Sequence, residues 1–374
     1  MSASSPSRMK ILLVVTKSEV GGAQTHVWQL AKYLHNSGHS VHVSAFPGGW
    51  LHEEAQKLGV SFHPNTALSN NLDPRKGLRA GREAAELVAE IRPDIIHCHS
   101  SAAGFWTRLA VRGATPTVFT AHGWGFTPGV PWLRRIALLL AERLVARFTA
   151  RYICVSDCDG RLAMRYGIAP AERIAVIHNG VEPHGNGSRR SESDATIRVV
   201  FVGRLARPKE PELLVAALSD LPTPLRDVYE LQIIGDGPLL PRLRELISGI
   251  GAKVKLVGAL PREVVLKALS ESHVFVLTSR YEGFPISILE AMSMGLAVIA
   301  SDVGGIREAV TPECGILIGR GDKEALQGAL ARLAEERGSI ERYGDAARKR
   351  ARQEFSISAM CQKTEAVYES VRAR

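Results

Sequence analysis

The chain has 374 residues, enough at about 100 to 200 residues per domain for two domains with a core each. Hydrophobic residues make up 45% and charged residues 23%, and mean hydropathy is near zero, which excludes wholesale disorder, a coiled coil and a collagen-like fibre. An excess of 47 Lys and Arg over 38 Asp and Glu gives a formal charge of +9, suited to an anionic partner such as nucleic acid, an anionic lipid surface or a phosphorylated small molecule.

Residues 1–10 are rich in serine and carry Arg8 and Lys10. The apolar stretch 11–15 is too short for a signal-peptide core, so a frayed tail is expected before a first strand. Strand-like runs then occupy 10–15, 41–46, 94–98, 117–121, 152–155 and 174–177, with helix-like segments such as 23–37 and 79–91 between them. Residues 182–196 change to Gly, Ser, Asn, Arg and Asp with little to bury, which reads as a linker. The alternation restarts with strands at 198–202, 231–234, 254–257, 274–278, 297–300 and 315–318. Helices are expected at 210–218, 239–248, 262–271 and 323–335, and a basic helical end follows. Short apolar runs alternating with helices predict α/β structure with parallel sheets in two doubly wound halves. The expected division is 1–182, a linker at 183–196, 197–355, and a C-terminal helix at 356–374 placed to pack back on the N-terminal domain. No apolar run approaches the ~18 residues that span a bilayer, and five sparse cysteines suit a reducing, cytoplasmic setting.

In open α/β sheets ligands bind beyond the carboxyl ends of the strands, so the residues that follow each strand are the candidates. Gly21-Gly22 precedes a helix whose first amides suit phosphate, yet a glycine pair is more often only a tight turn. No G-x-G-x-x-G and no Gly-Lys-Ser/Thr accompanies it, which counts against a dinucleotide oxidoreductase and a P-loop NTPase. Arg204, after Gly203, and Lys209 offer a planar fork and a point charge fit for a diphosphate, with two solvated cations as the bland alternative. In the run from Glu282 to Glu290, Pro285 marks a helix start, so Glu282 falls in the preceding loop and Glu290 within the helix. A carboxylate there suits a vicinal diol, because it can accept both hydroxyl protons. Ile288, Leu289, Ala291 and Met292 predict a buried Glu290, which then needs a partner.

His122 ends a strand and could touch a reacting sugar or move a proton, although such a histidine is more often structural. Asp157-Cys158-Asp159 has the Asp-x-Asp form of some metal-dependent sugar transferases, but Ser156 before it favours helix capping. Cys154 and Cys158 lack a second pair at zinc spacing. Residues 131–151 mix arginines with Trp132, Ile136, Leu139, Leu140 and Leu144. Two readings stay open for this segment: a helix on anionic lipid, or a largely buried helix with a basic edge.

Gly21-Gly22-Ala23-Gln24, Val202-Gly203-Arg204-Leu205 with Lys209, Glu282 to Glu290 as E-x7-E, Ala291 to Gly295 and the run to Gly305 together resemble the retaining glycosyltransferases of family 4, over nearly the whole chain. The resemblance implies the GT-B fold, two Rossmann-like domains facing across a cleft. It implies a nucleotide-sugar donor, a uridine diphosphate sugar by family habit, with Arg204 and Lys209 on the diphosphate and Glu290 on the ribose. Glu282 would address sugar hydroxyls, the backbone around Phe284, Pro285 and Ile286 would add amide contacts to the phosphates, Gly22 would approach from the other lobe, and His122 would lie near the transferred sugar. His122, Glu282, Arg204 and Lys209 are thus the expected catalytic set, with no metal and no resident cofactor. The acceptor would be a glycan or a polyprenyl-diphosphate-linked sugar in surface polysaccharide synthesis, met at the inner face of the plasma membrane through peripheral contact. One departure is that Glu210-Pro211 follows Lys209 where the family has glycine. An epimerase or hydrolase of the same architecture, which would turn over donor without acceptor, is the nearest alternative. A basic nucleic-acid-binding protein is another, disfavoured because only 6% of residues are aromatic and no stacking platform is evident.

Overall fold

The computed structural model describes residues 8–69, 73–127, 130–184 and 195–373. The chain divides into two compact units, residues 1–179 with 357–374, and residues 180–356. Most of the expected linker lies outside the described residues.

The first unit holds seven parallel strands: β1 (Lys10–Val14), β2 (Ser40–Ala45), β3 (Ser61–Pro64), β4 (Ile95–His99), β5 (Thr117–Ala121), β6 (Arg151–Cys154) and β7 (Ile174–Val176). Their order in the sheet is β3-β2-β1-β4-β5-β6-β7, so the direction of winding reverses between β1 and β4. Central strands are apolar because both faces are covered. Ile11 and Leu13 point into a core shared with Val27 and Leu30, while Leu12 and Val14 point into the opposite core with Ile96 and Phe119. The last helix, Ile357–Arg372, belongs to this unit: Met360, Cys361, Tyr368 and Val371 enter the first of these cores. Its Glu365 pairs with the buried His39 at 2.7 Å. Strand β3 and helix Trp50–Leu58 carry a weak signal, since β3 is only four residues long and has no buried position, and the sequence pattern passes over both.

The second unit has six parallel strands: β8 (Ile197–Val202), β9 (Tyr229–Ile234), β10 (Lys253–Gly258), β11 (Val274–Leu277), β12 (Ala297–Ser301) and β13 (Gly315–Ile318). The order is β10-β9-β8-β11-β12-β13, with the reversal between β8 and β11, where Val199 and Val200 pair with Val274 and Phe275. Strands β11 and β12 are wholly buried. Each sheet therefore has a topological switch point, the place where doubly wound sheets receive ligands.

Candidate active site

At the switch point of the second unit, the loops after β8 and β11 are tied together. The Thr278 hydroxyl donates to the carbonyls of Lys209 (3.2 Å) and Glu210 (2.8 Å), and the Arg280 amide donates to the Pro208 carbonyl (2.8 Å). This brings Lys209 beside Glu282: Nζ lies 2.6 Å from Oε1, and the Ser279 hydroxyl donates to the same oxygen at 2.6 Å. The Lys209 stem runs over Gly203, where an added Cβ would stand 3.6 Å from Cε. Arg204 is exposed beside them.

Two glycines let neighbouring loops close on this pair. A Cβ on Gly235 would sit 1.9 Å from the Gly203 carbonyl oxygen, and one on Gly304 would sit 1.9 Å from that of Glu282. Both residues have positive φ, +147° and +57°, so no other residue fits there without moving the backbone.

The departure from the family pattern is absorbed in the backbone. Glu210 adopts φ 45° and ψ 53°, the left-handed conformation that glycine takes freely. Its carboxylate pairs with Arg280. The strain costs about 1 to 2 kcal/mol, against about 1 kcal/mol for an ion pair whose arginine is 45% and whose carboxylate is 14% exposed. Glu210→Gly is therefore expected to leave stability unchanged or raise it by up to about 1 kcal/mol. A fall of more than about 1 kcal/mol in urea denaturation would mean that the Arg280 pair, and not the turn, governs this loop.

Glu282 lies in the loop and Glu290 in helix Ile286–Ser293, as the pattern predicts. Phe284 is buried against Phe355, ring centroids 5.3 Å apart, so only its backbone can face a ligand. Pro285 caps the helix without a side-chain bond, and the leading amides begin at Ile286. Glu290 is buried, and its partner is Arg262, with Nη1 2.6 Å from Oε1. Burial pushes the Glu290 carboxyl above the usual carboxylate range, and Arg262 pulls it back. Arg262 is the residue that sequence reasoning missed: it lies on helix Arg262–Ser270, 28 positions before Glu290 (290 minus 262), with no motif to mark it.

In the first unit the strand ends at the switch point are also linked. The hydroxyls of Thr16 and Ser100 lie 2.6 Å apart, and Ser100 holds φ 67°, a strained value for a residue with a side chain. Gly21 precedes helix Gly22–Asn36 in extended conformation with no side-chain cap. A Cβ on Gly22 would meet nothing within 4 Å, so packing within the chain does not require glycine there.

His122 stands in a group of imidazoles. His99 Nδ1 lies 3.1 Å from His122 Nε2, and His26 Nδ1 lies 2.9 Å from the Asn179 side-chain oxygen. The His26 and His122 rings meet edge to face, centroids 4.8 Å apart. Behind them, His97 bonds Thr120 at 2.6 Å and the Tyr368 hydroxyl. Burial holds all four below the ordinary histidine range, His26 down to about 4, so they are neutral near pH 7. His26, His99 and His122 each offer a ring nitrogen within 4.8 Å of the others, a donor set that a transition metal could use. Asp157-Cys158-Asp159 opens a helix capped by Ser156, whose oxygen accepts from the Asp159 amide at 3.1 Å. All five cysteines are free thiols, four of them buried.

Two Rossmann-type domains, each with its polar chemistry at the switch point of a parallel sheet, define the GT-B class of sugar-transferring enzymes. The family model "Glycosyltransferase Family 4" matches residues 20–184, and "Glycosyl transferases group 1" matches 188–350. The chain belongs to glycosyltransferase family 4 and is a glycosyltransferase. It is 27% identical over 349 residues to the Escherichia coli UDP-Gal:alpha-D-GlcNAc-diphosphoundecaprenol alpha-1,3-galactosyltransferase, covering 89% of this chain and 90% of that protein. It is also 27% identical over 298 residues to the Escherichia coli O-antigen biosynthesis glycosyltransferase WbnH, covering 79% of this chain and 82% of WbnH. Among solved structures, Anabaena HepE in complex with UDP and glucose superposes with a TM-score of 0.82 at 22% identity, over 97% of this chain and all (100%) of HepE. Sucrose-phosphate synthase from Thermosynechococcus elongatus gives 0.83 at 22% identity, over 98% of this chain and 100% of that one. No helix among the described residues is long and apolar enough to cross a membrane.

Proposed function

We propose that this chain moves a hexose or N-acetylhexosamine from a uridine diphosphate sugar to a glycan or polyprenyl-diphosphate-linked acceptor in surface polysaccharide synthesis, with retention at the anomeric carbon. The observation that carries the reading is the pair Lys209 and Glu282 held together at the β8/β11 switch point, with Glu290 buried in the helix that Pro285 opens. The E. coli relative, which by name uses UDP-galactose and a lipid diphosphate acceptor, supports the choice of donor and acceptor.

In this reading Arg204 and Lys209 take the diphosphate, where charge grows as the anomeric C–O bond breaks. Groups that bind the departing diphosphate more tightly than the intact donor lower the barrier. The leading amides of helix Ile286–Ser293 add to this, Glu290 grips the ribose diol, and Glu282 accepts from sugar hydroxyls. Gly22 is assigned to the diphosphate and His122 to the transferred sugar. Neutral His122 can accept or donate one hydrogen bond without bringing charge to that sugar.

The reading needs no resident metal, since cations of the chain take the leaving-group charge. The deciding experiment is transfer from a panel of nucleotide sugars to a polyprenyl-diphosphate-linked acceptor, with the product anomer read by NMR. Transfer from a uridine donor with retention, undiminished by EDTA, is expected. Donor hydrolysis without transfer, or an inverted product, would overturn it; loss of activity in EDTA restored by zinc would reassign His26, His99 and His122 as metal ligands.

Gly22→Ala offers a second check. Nothing in the chain crowds that position, and alanine is the better helix residue by up to about 1 kcal/mol, so the melting temperature should hold or rise. A methyl where the diphosphate approaches should nevertheless cut kcat/KM at least tenfold. Unchanged kinetics would remove Gly22 from the donor site.

A further inference from the structure

We infer that helix Trp132–Ala146 is a docking surface for an anionic phospholipid bilayer. The outer face of this helix is not the polar one that an ordinary surface helix presents. Its inner face is mixed: Val145 and Ala146 are buried and Leu139 packs on the core, beside Glu142, which is buried and pairs with the fully buried Arg108 at 2.6 Å, and that arginine also donates to the Thr149 and Tyr152 hydroxyls. Arg135 donates inward to the Phe126 carbonyl at 2.9 Å. The outer face carries the large apolar side chains. Trp132 is 68% exposed, Leu133 65%, Ile136 48%, Leu140 58% and Leu144 48%. At 3.6 residues per turn these five fall within an arc of about 120°, far denser than scattered surface apolar residues. Half of the large hydrophobics most exposed in the described chain lie on this one helix.

Charge selects the occupant. The exposed Arg143 and Arg147 lie on the same side of the helix as the apolar residues, at its C-terminal end, exposed Arg134 lies in its first turn, and Glu142, the helix's one acidic residue, faces inward. Arg143 is steadied by donation from Nε to the Tyr166 carbonyl at 2.8 Å. An aromatic ring at one end, aliphatic side chains along the middle and cations at the other end match what a bilayer interface offers, an acyl boundary beside anionic phosphates. The helix has 15 residues and lies along the surface of its unit, so it rests on the bilayer and does not span it. Of the two readings open from sequence for residues 131–151, exposure thus favours the lipid one. This inference does not depend on the donor assignment, because it uses none of the residues assigned to the nucleotide sugar.

The test is co-sedimentation of the full chain with vesicles of equimolar phosphatidylglycerol and phosphatidylcholine, against phosphatidylcholine alone. Wild type should partition to the anionic vesicles and be released by salt. Ile136→Ser with Leu140→Ser should lower partitioning at least tenfold with an unchanged melting temperature, both positions being solvent-facing. Arg134→Gln and Arg147→Gln should each cost about fivefold on anionic vesicles, from roughly 1 kcal/mol per cation near the surface. Absence of wild-type sedimentation, or undiminished binding by the serine variant, would overturn the proposal. So would a wild-type dimer on light scattering that the serine variant dissociates, which would give the face to a second copy of the chain.

Discussion

Glu290→Gln is expected to lower kcat/KM for sugar transfer on the order of a hundredfold, with the chain still folded. The substitution keeps shape and one acceptor oxygen but removes the charge, and hydrogen bonds to a charged group exceed neutral ones enough to make about 2 to 3 kcal/mol over a diol. The structural cost is smaller, because Arg262 is 24% exposed and water can attend to it once the carboxylate is gone. Arg262→Gln separates the two effects. It leaves Glu290 buried without its cation, so the carboxyl, already above its ordinary range, rises further and takes up a proton at higher pH. The acid limb of the pH–rate profile should then move upward in Arg262→Gln and not in Arg204→Gln. Wild-type kinetics in Glu290→Gln would detach this carboxylate from the donor.

Stability should fall steeply as the medium is acidified below about pH 6.5. His26, His97 and His99 are buried and held neutral, His26 down to about 4 and the other two well below the ordinary value. The unfolded chain binds protons at these histidines near 6.5 while the folded chain does not. Stability is therefore full above that pH and is lost as pH falls toward the folded values. About one pH unit below that point each such histidine, His122 included, contributes on the order of 1 kcal/mol of destabilisation, together a large part of a typical ~5 to 15 kcal/mol. Urea denaturation at about pH 7.5 and about pH 5.5 checks this. His97→Gln, which removes one of the four rings held neutral, should flatten the dependence by about a quarter. Equal midpoints at the two pH values would refute the buried neutral state.

Among the described residues the alternation of apolar runs with helical periodicity marks twelve of the thirteen strands, because nearly all of the twelve bury apolar side chains on at least one face. Strand β3 escapes because Ser61-Phe62-His63-Pro64 holds a single large apolar side chain, whereas the equally unburied edge strands β7 (IAV) and β10 (KVKLVG) keep apolar runs. Glu282, Glu290, Arg204 and Lys209 are legible because each stands at a fixed offset from a strand end or a proline, and local geometry dictates their places. Arg262, His26 and His99 are not. Arg262 and His26 meet their partners through tertiary packing over tens to hundreds of residues, as in the 153-residue separation of His26 and Asn179. A strand-end histidine such as His99 looks ordinary until His122 is seen beside it. The burial of Glu290 was predictable from its neighbours, whereas the identity of its cation was not.

The helix Ile357–Arg372 completes a domain that begins at the other end of the chain, with the entire second unit threaded between. During synthesis the first seven strands emerge long before the segment that completes their core, so the places of Met360, Cys361, Tyr368 and Val371 stay unfilled while 177 residues (180 to 356) are still to be made. A nonsense codon near residue 357 would accordingly release a polypeptide that keeps the loops of the candidate site but lacks Met360, Cys361, Tyr368 and Val371 from its first core.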